Sequence, residues 1–409
     1  MVSLAALRSS GLNLVGPAAC AILRQPAFEP AIRDMGTSAE AVLPSTAPPA
    51  VSGPPAACSS ASPGSASPGG DAPDGIDIAA LLRIGPASEA ADRAREAREA
   101  SGKKGDWARH AHETLGILAA GGYSAPSGSS WVDVRAALQK AVSGSVHYSE
   151  AAWRPADLPE RAFRGSELIE VWNCTVLSAT QDLAQAASPE QPPGALNFAS
   201  ARNPGGGFTT GAAAQEESIA RSSGLYPCLT KHFEGFFVPA RRAESGACTH
   251  DMIHSPRVPV LRDDGGQLLE QPYAVDFVTA AAPNIGVLRQ KSKGKEAEQL
   301  AEGALRERIP RVLDLFARHS ARDLVLGAWG CGVFGNDPRT VASLFLQELG
   351  GCFRGRFRRV IFAVLDAKMA RDFSEVFGTD VVPPATATSQ WGAQQRWCSG
   401  QGKKGQATM

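Results

Sequence analysis

NPGGGFTTGAAAQEES, residues 203–218, places three consecutive glycines seven residues ahead of a Gln-Glu-Glu triplet. Glycine loses more backbone freedom on folding than other residues, so three in a row indicate a chain that turns sharply or approaches a ligand closely. The residues after the glycines predict a helix that begins near Gly211 or Ala212. Glu216 and Glu217 then lie about 100° apart around its first turns. The positive end of the helix favours carboxylates there.

A pair of glutamates at a helix start is usually a solvated acidic patch, and the pair taken alone would be interpreted so. A second glycine-rich segment, GCGVFGND at residues 330–337, changes this interpretation, because it follows a predicted strand and precedes a predicted helix. A glycine turn with free N–H groups at a helix start binds anions. Two such turns at one edge of a sheet predict a site for a diphosphate.

From residue 168 onwards, short β-rich segments alternate with helical ones. This alternation predicts an α/β fold with a largely parallel sheet that helices cover on both faces. Ligands of such sheets bind beyond the carboxyl ends of the strands. The predicted strands are residues 169–177, 196–201, 273–281, 323–329 and 359–365, and the predicted helices are residues 298–319, broken at Pro310, and residues 337–350, capped by Asp337.

The first 87 residues are predicted to be a disordered, low-complexity leader. Residues 42–70 contain no charged side chain and consist mostly of Ala, Pro, Ser and Gly, so they bury too little apolar surface to offset their ordering entropy. Arg8 and Arg24, with no acidic residue before Glu29, leave a transit peptide open as an alternative.

The rest of the chain divides into three predicted parts. Residues 88–167 form a helical lead-in, with helical patterns at 88–120 and 132–142. Residues 168–382 form the core domain that contains both glycine turns. Residues 383–409 are polar and irregular and predict a flexible tail.

Composition excludes several classes of protein. The 409 residues include 41 basic and 41 acidic side chains, so no overall field attracts nucleic acid or a membrane surface. No run of 18 apolar residues predicts a membrane span. The eight cysteines are scattered without a C-x-x-C pair, which is typical of reduced thiols and not of a zinc site or a disulfide framework. We therefore expect a soluble intracellular monomer, in the cytoplasm or nucleus, or in an organelle if the leader is a transit peptide.

A dinucleotide-binding enzyme is a competing interpretation of the second glycine turn. Gly330, Gly332 and Gly335 spell G-x-G-x-x-G between a predicted strand and a predicted helix. The acid that ends the next strand, Asp366, lies 31 residues beyond Gly335, whereas about 20 is usual. The 43 residues that follow Asp366 are too few for the rest of a doubly wound domain. A nicotinamide or flavin enzyme is therefore disfavoured.

Three further features are interpreted as structural. His250 and His254 could bind a metal on one helix face, but no third ligand is evident. Cys331 has no His or Asp beside it and is interpreted as a packing residue. The basic run RGRFRR, residues 354–359, is interpreted as a solvated strand lead-in, with contact to a polyanion as the alternative.

The GGG triplet, seven intervening residues and QEE together resemble the signature of poly(ADP-ribose) glycohydrolases. Residues 197–227 around it are similar to the bacterial, or microbial-type, branch of that family. The resemblance extends to ETLGILAAGGY at residues 113–123 and to LVLGAWGCGVFGNDP at residues 324–338, and covers roughly residues 95–380. It implies a macrodomain-like fold, a three-layer α/β/α sandwich that binds ADP-ribose.

The resemblance also implies roles for individual residues. Glu217 would be the catalytic general acid and base, and Glu216 would hydrogen-bond the distal or the leaving ribose. Phe334 would pack on the distal ribose, and Asn203, or Asn197 in its place, would contact ribose hydroxyls. The implied substrate-binding set is Asn203, Gly205, Gly206, Gly207, Gln215, Gly330, Gly332, Val333, Phe334 and Gly335.

The implied reaction is hydrolysis of the ribose–ribose O-glycosidic bonds of poly(ADP-ribose), with release of ADP-ribose and without a metal or another cofactor. Such cleavage passes through an oxocarbenium-like state and needs a proton donor for the leaving oxygen. Glu217 would start protonated, which a neighbouring Glu216 and a partly dry site favour. The alternatives are a non-catalytic ADP-ribose reader and a hydrolase of mono-ADP-ribose on protein or nucleic acid. The expected partners are poly(ADP-ribose) or ADP-ribosylated proteins.

Overall fold

The structure is a computed structural model. The predicted tail, most of the predicted leader and residues 88–101 of the first predicted helix lie outside the part that it describes. None of the described helices combines the length and apolar composition that a membrane crossing needs. The described residues are 76–85, 102–128, 130–154, 168–186, 188, 190–243, 246–292 and 295–382.

Ten strands and eleven α-helices make up the described chain. The strands are β1 (Gly122–Ser124), β2 (Trp131–Asp133), β3 (Val146–Tyr148), β4 (Leu168–Trp172), β5 (Gly194–Phe198), β6 (Met252–Arg262), β7 (Leu268–Ala280), β8 (Asp323–Gly327), β9 (Arg359–Ala363) and β10 (Val381–Val382). The helices are α1 (Ile78–Leu81), α2 (Lys103–Ala120), α3 (Arg135–Gly144), α4 (Val176–Ala186), α5 (Gln215–Ser222), α6 (Leu225–Thr230), α7 (Val238–Arg242), α8 (Ile285–Lys291), α9 (Glu296–Arg318), α10 (Pro338–Gly350) and α11 (Ala367–Phe377).

Eight of these strands form one mixed sheet in the order β10-β4-β9-β8-β5-β7-β6-β3. The strands from β10 to β7 pair in parallel, and β6 pairs antiparallel with β7 and β3. Successive residues alternate between two apolar layers: Ala195 and Ile361 pack in one, and Leu196 and Phe362 pack in the other. The predicted three-layer α/β/α sandwich with a mixed, largely parallel sheet is confirmed.

The long strand β6 was not predicted, because Pro256 and Pro259 argue against a strand inside a sheet. The structure accommodates this segment with a register shift against β7 between Ser255 and Val258. Arg257 within the shift has a φ of 50° and donates its N–H to the Asp276 carboxylate at 2.7 Å. A side chain thus replaces the bond that a regular ladder would supply.

The predicted end of one strand is wrong for an identifiable reason. The strand predicted over residues 169–177 ends at Trp172, because the Asn173 side chain turns the chain by donating to the carbonyls of Val364 and Leu365. Thr175 then caps α4 by accepting the Ser178 N–H.

The break predicted at Pro310 is also wrong, since α9 continues to Arg318. A proline removes one backbone donor, but the fully buried Arg308 anchors the same turn by donating to the Ala281 and Ala247 carbonyls. At the next helix the prediction holds, because Asp337 caps α10 by accepting the Thr340 N–H at 2.7 Å.

The folded domain begins earlier than predicted. Residues 76–85, assigned above to the leader, contain α1, and Leu82 is buried in the core. Tyr226 donates its hydroxyl to the Ile84 carbonyl. The predicted lead-in is not purely helical either, since it supplies the β1–β2 hairpin and the edge strand β3.

Histidines join the edge strand β3 to the rest of the domain. His254 pairs with Val146 in the sheet and stacks on His319, with ring centroids 3.5 Å apart. His319 also bonds the Tyr148 hydroxyl at 2.9 Å. His254 is 2% exposed, and neither of its ring nitrogens has a partner among the described residues. Burial, and then the neighbouring His319, lower the pKa of His254 to about 3.

We expect this stack to make stability depend on pH. Because the folded pKa of His254 lies below its unfolded value of about 6.5, its contribution is complete above pH 6.5 and is lost as the pH falls. At pH 5 the loss from His254 is about 2 kcal/mol of unfolding free energy. Urea unfolding at pH 8, 6.5 and 5 should show a smaller loss for His254→Phe than for the wild type. Equal losses in both proteins would contradict this assignment.

Candidate active site

The carboxyl ends of β5, β7 and β8 are neighbours in the sheet, and the loop after each contributes to one site. The loop after β5 contains the glycine triplet, and the loop after β8 contains the second glycine turn. The Ala280 carbonyl at the end of β7 joins them, because it accepts the Ala199 N–H and the Trp329 indole N–H. The two predicted glycine segments therefore meet at one edge of the sheet, as expected.

The glutamine of the QEE triplet fastens α5 to the end of β5. The Gln215 side chain accepts the Phe198 N–H at 2.8 Å and donates to the Leu196 carbonyl at 2.7 Å. Both polar groups of this amide are engaged by backbone. A substrate contact by Gln215 remains a prediction, and in this structure the residue positions the strand end.

Glu216 binds the loop on both sides of residues 201–204. One carboxylate oxygen accepts the Ser200 N–H at 2.6 Å, and the other accepts the Gly205 N–H at 3.1 Å. The residue is 3% exposed. Burial raises the pKa of Glu216 well above its ordinary value, and the neighbouring Glu217 adds to this, whereas the hydrogen bonds from Ser200 and Gly205 oppose it. The predicted ribose contact of Glu216 remains a prediction.

Glu217 is held through one oxygen only. Its Oε1 accepts the Gly207 N–H at 3.0 Å. Its Oε2 is buried and has no hydrogen-bond partner in the described part of the chain. The carboxyl group is therefore fixed through one oxygen, and its second oxygen makes no hydrogen bond in the described part of the chain.

The glycine triplet is needed because these carboxylates lie against its backbone. Gly206 has a φ of 59°, and a Cβ there would overlap Glu217 Oε1 and lie 3.2 Å from Glu216 Oε2. Gly206 itself donates its N–H to the Asn203 carbonyl. All three glycine N–H groups thus bond within the protein. This corrects the expectation that the first turn presents free N–H groups to a diphosphate.

The helix after the glycines begins later than predicted. Residues Phe208–Thr210 form a 3-10 turn that ends at Gly211, whose φ is 78°, and α5 begins at Gln215. Gly211 is required because a Cβ there would overlap the Lys104 carbonyl of α2. The close approach of α2 therefore delays the helix.

The second glycine turn presents the free donors that the first one lacks. The N–H groups of Gly332, Val333 and Phe334 have no acceptor among the residues that the structure describes. Val333 is 87% exposed, although it is apolar. Gly330 has a φ of 73°, and a Cβ there would lie 2.5 Å from both Ala282 Cβ and the side-chain nitrogen of Asn336.

Asn336, which sequence reasoning missed, closes the second turn. Its amide donates to the Pro283 and Gly330 carbonyls, at 2.9 and 3.0 Å. Gly335 has a φ of 74° and donates to the Gly332 carbonyl. The sequence Gly-Asn-Asp before the helix is typical of a closed turn, and it could have indicated the structural role of Asn336.

The two asparagines considered for ribose contact have different surroundings. Asn203 is exposed at the rim, and its side-chain oxygen accepts from Arg241 at 3.0 Å. Asn197 is fully buried on β5 and donates to Thr279, and its Oδ1 has no partner among the described residues. Asn203 is therefore the asparagine that a ligand in the open cleft can reach.

A buried arginine, also missed from sequence, lies one helical turn beyond Glu217. Arg221 is 7% exposed and donates to the Ala212 carbonyl at 3.0 Å and to the Ser218 hydroxyl at 2.7 Å. Burial lowers the pKa of Arg221 to about 10, against the opposing effect of Glu217 and then Asp264. Arg221 thus holds the turn that follows the glycines against α5.

The two histidines that were interpreted above as structural do not share a helix face. His254 is in β6, not on a helix with His250, which lies beside Arg308. Cys331 is a buried thiol.

The basic run at residues 354–359 precedes β9, so it lies at the amino edge of the sheet, opposite the glycine turns. Its last two arginines are ion-paired, Arg358 with Asp323 and Arg359 with Glu170. These contacts support the interpretation as a strand lead-in.

An α/β/α sandwich with an acidic helix start against one glycine turn, and a second turn with free N–H groups beside it, defines a macrodomain-like protein with a glycosidase-type carboxyl site. The family model described as "Microbial-type PARG, catalytic domain", where PARG is poly(ADP-ribose) glycohydrolase, matches residues 111–263. No curated protein sequence matches the chain significantly.

Solved structures with the same fold agree. PARG from Thermomonospora curvata is 41% identical with a TM-score of 0.61, over 66% of this chain and 99% of that one. Its form bound to the inhibitor ADP-HPD gives 41% identity and a TM-score of 0.58, over 66% and 98%. PARG from Deinococcus radiodurans in complex with ADP-ribose gives 40% and 0.53, over 59% and 96%. The chain belongs to the microbial-type poly(ADP-ribose) glycohydrolase family.

Gly206→Ala tests the contact between the first glycine turn and Glu217. We expect hydrolytic turnover to fall by at least about 10²-fold, because the new Cβ displaces the carboxyl group and general acid–base help is of that size. The positive φ adds about 1–2 kcal/mol of strain, measurable by urea unfolding. Gly332→Ala is the matched control for folding, since a Cβ there meets nothing within 4 Å. Normal turnover in Gly206→Ala would exclude the contact.

Glu216→Ala tests the hydrogen bonds that join the loop after β5 to α5. It leaves the buried N–H groups of Ser200 and Gly205 without acceptors, at a cost of about 1–3 kcal/mol each. We expect Glu216→Gln to lose less stability, because its amide oxygen still accepts one of the two. Unfolding free energies in urea provide the comparison, and equal stability of Glu216→Ala and the wild type would contradict the role.

Proposed function

We propose that this protein hydrolyses the ribose–ribose O-glycosidic bonds of poly(ADP-ribose) and releases ADP-ribose, with Glu217 as general acid and base. The observation that carries the proposal is the state of its carboxyl group. Oε1 is fixed by the Gly207 N–H, and Oε2 is buried without a partner in the described chain. A protonated Oε2 would therefore have its hydrogen available for a substrate oxygen.

The first step is proton donation by Glu217. As the bond from the anomeric carbon to the leaving oxygen lengthens, positive charge develops on the ribose ring. Glu217 Oε2 transfers its proton to the leaving ribose oxygen, which departs as a neutral hydroxyl. The carboxylate that remains is stabilised by the Gly207 N–H and by the start of α5.

The second step returns the proton. The Glu217 carboxylate accepts a proton from the water that attacks the anomeric carbon, which regenerates the neutral acid and completes ADP-ribose. Glu216 supports both steps as a positioning residue, since its oxygens hold Ser200 and Gly205 on either side of the loop. Arg221, one turn further along α5, keeps the following turn in place.

The diphosphate is assigned to the second glycine turn. The unpaired N–H groups of Gly332, Val333 and Phe334 form a small group of donors that suits phosphate oxygens. The half-buried Phe334 and the exposed Val333 supply apolar surface for a ribose ring. The glycine triplet contributes differently, because its missing side chains let the glutamates reach the loop backbone.

One assay separates this function from its alternatives. The full chain is incubated with labelled poly(ADP-ribose), and free ADP-ribose is measured. Release supports the proposal, whereas binding without release indicates a reader. Action on mono-ADP-ribosylated protein or nucleic acid alone indicates a mono-ADP-ribosylhydrolase. The assignment of the catalytic core to residues 168–382 is part of the same proposal.

Glu217→Gln is expected to lower turnover of poly(ADP-ribose) by about 10²–10⁴-fold, because an amide does not donate and recover the proton as a carboxyl group does. Affinity for ADP-ribose, measured by calorimetric titration, should change little, since the amide oxygen still accepts the Gly207 N–H. Glu302→Gln, in an exposed pair with Arg306, is the matched control. Full activity in Glu217→Gln would refute the role.

A further inference from the structure

Two exposed arginines lie together beside the first glycine turn. Arg202 directly precedes Asn203, and Arg241 is in the last turn of α7. The Arg241 guanidinium donates to the Arg202 carbonyl at 2.7 Å and to Asn203 Oδ1 at 3.0 Å, and it stacks 4.8 Å from the centre of the Phe233 ring. These contacts fix the Arg241 side chain beside the first glycine turn.

The Arg202 side chain makes weaker contacts within the protein than the Arg241 side chain does. Its guanidinium reaches the Arg241 carbonyl at 3.5 Å, the limit of hydrogen-bond distance. Both arginines are exposed, and neither forms an ion pair with a carboxylate in the described residues. Each guanidinium group lies against the backbone carbonyl of the other arginine, so two exposed positive charges are available beside the loop for an anion.

Arg202 lies on the loop segment that Glu216 holds, and Arg241 of α7 is bonded to the Arg202 carbonyl. The Glu216 carboxylate binds Ser200 and Gly205, and Arg202 lies between those two residues in the chain. At no more than about 3.6 Å per residue, the backbone of Arg202 is within about 15 Å of Gly206, which touches Glu217.

The covalent structure of the polymer indicates which phosphates would lie near these two arginines. The oxygen that receives the proton from Glu217 stays on the ribose of the preceding ADP-ribose unit, and that same ribose bears its own diphosphate at C5′. The leaving unit therefore has two phosphates one sugar ring away from the scissile bond. The diphosphate of the unit that is released has the second glycine turn as its partner.

We propose that Arg202 and Arg241 form a subsite for the diphosphate of the ADP-ribose unit on the leaving side of the scissile bond. The proposal rests on the function proposed above and adds to it a preference for polymer over a single ADP-ribose. Guanidinium groups suit this role because their planar donors match phosphate oxygens. The other basic run, residues 354–359, is ion-paired in part and lies at the opposite edge of the sheet.

Arg202→Gln is the main test, because this side chain makes the weaker contacts within the protein. Binding is measured in the full chain with Glu217→Gln, so that the polymer is not degraded during titration. The probes are ADP-ribose and fluorescently labelled poly(ADP-ribose) of defined length, each at several NaCl concentrations. Arg354→Gln is the matched control, an exposed arginine at the amino edge of the sheet.

We expect Arg202→Gln to weaken polymer binding about 3- to 10-fold at low salt and to lower the slope of log affinity against log salt by about one. Affinity for ADP-ribose should not change, and Arg354→Gln should match the parent protein with both probes. Arg241→Gln should have a larger effect, because it also removes the bond to Asn203.

Two results would overturn the subsite. Unchanged polymer affinity and salt slope in Arg202→Gln would show that the arginine does not meet phosphate. An equal loss for ADP-ribose and for polymer would assign Arg202 to the released unit instead. Failure of the proposed function is seen separately, as absence of ADP-ribose release by the wild-type chain, and the binding comparison does not depend on that result.

Discussion

The hydrogen bonds from loop N–H groups to the two adjacent glutamates are the constraint on which the site depends. Glu216 binds Ser200 and Gly205, and Glu217 binds Gly207, so the start of α5 is tied to the whole loop after β5. These bonds require the carboxylates to lie against the loop backbone, which only a residue without Cβ allows. The spacing of GGG and QEE is therefore a geometric requirement of this tie.

The two glycine turns resemble each other in sequence and differ in what they offer. The first uses its N–H groups within the protein and positions the acids. The second keeps the N–H groups of Gly332, Val333 and Phe334 free while Asn336 closes the turn from behind. In the proposed function, acid chemistry and phosphate recognition would thus be divided between neighbouring loops. Arg202 and Arg241 would add a third element, which binds the ADP-ribose unit on the leaving side of the scissile bond.

Much of the fold was predictable because local patterns and tertiary structure agree there. Strand–helix alternation predicted the sandwich, and the Asp337 cap was evident from sequence. The failures have tertiary causes. Prolines argued against β6, yet Asp276 supplies a partner at its register shift. Pro310 predicted a break, yet buried Arg308 anchors that turn of α9.

The sequence by itself determined the class of fold and the place of both glycine turns at strand ends, because these depend on residue type and spacing along the chain. The roles of the two acids came from the resemblance to a family and remain a proposal. Only the tertiary structure decided which donors are free. Whether an N–H group is available depends on what packs against it, and two of the three acceptors of the first turn come from a helix ten or eleven residues later. For the same reason the proximity of Arg202 to Arg241, 39 residues apart in sequence, became visible only in the folded chain.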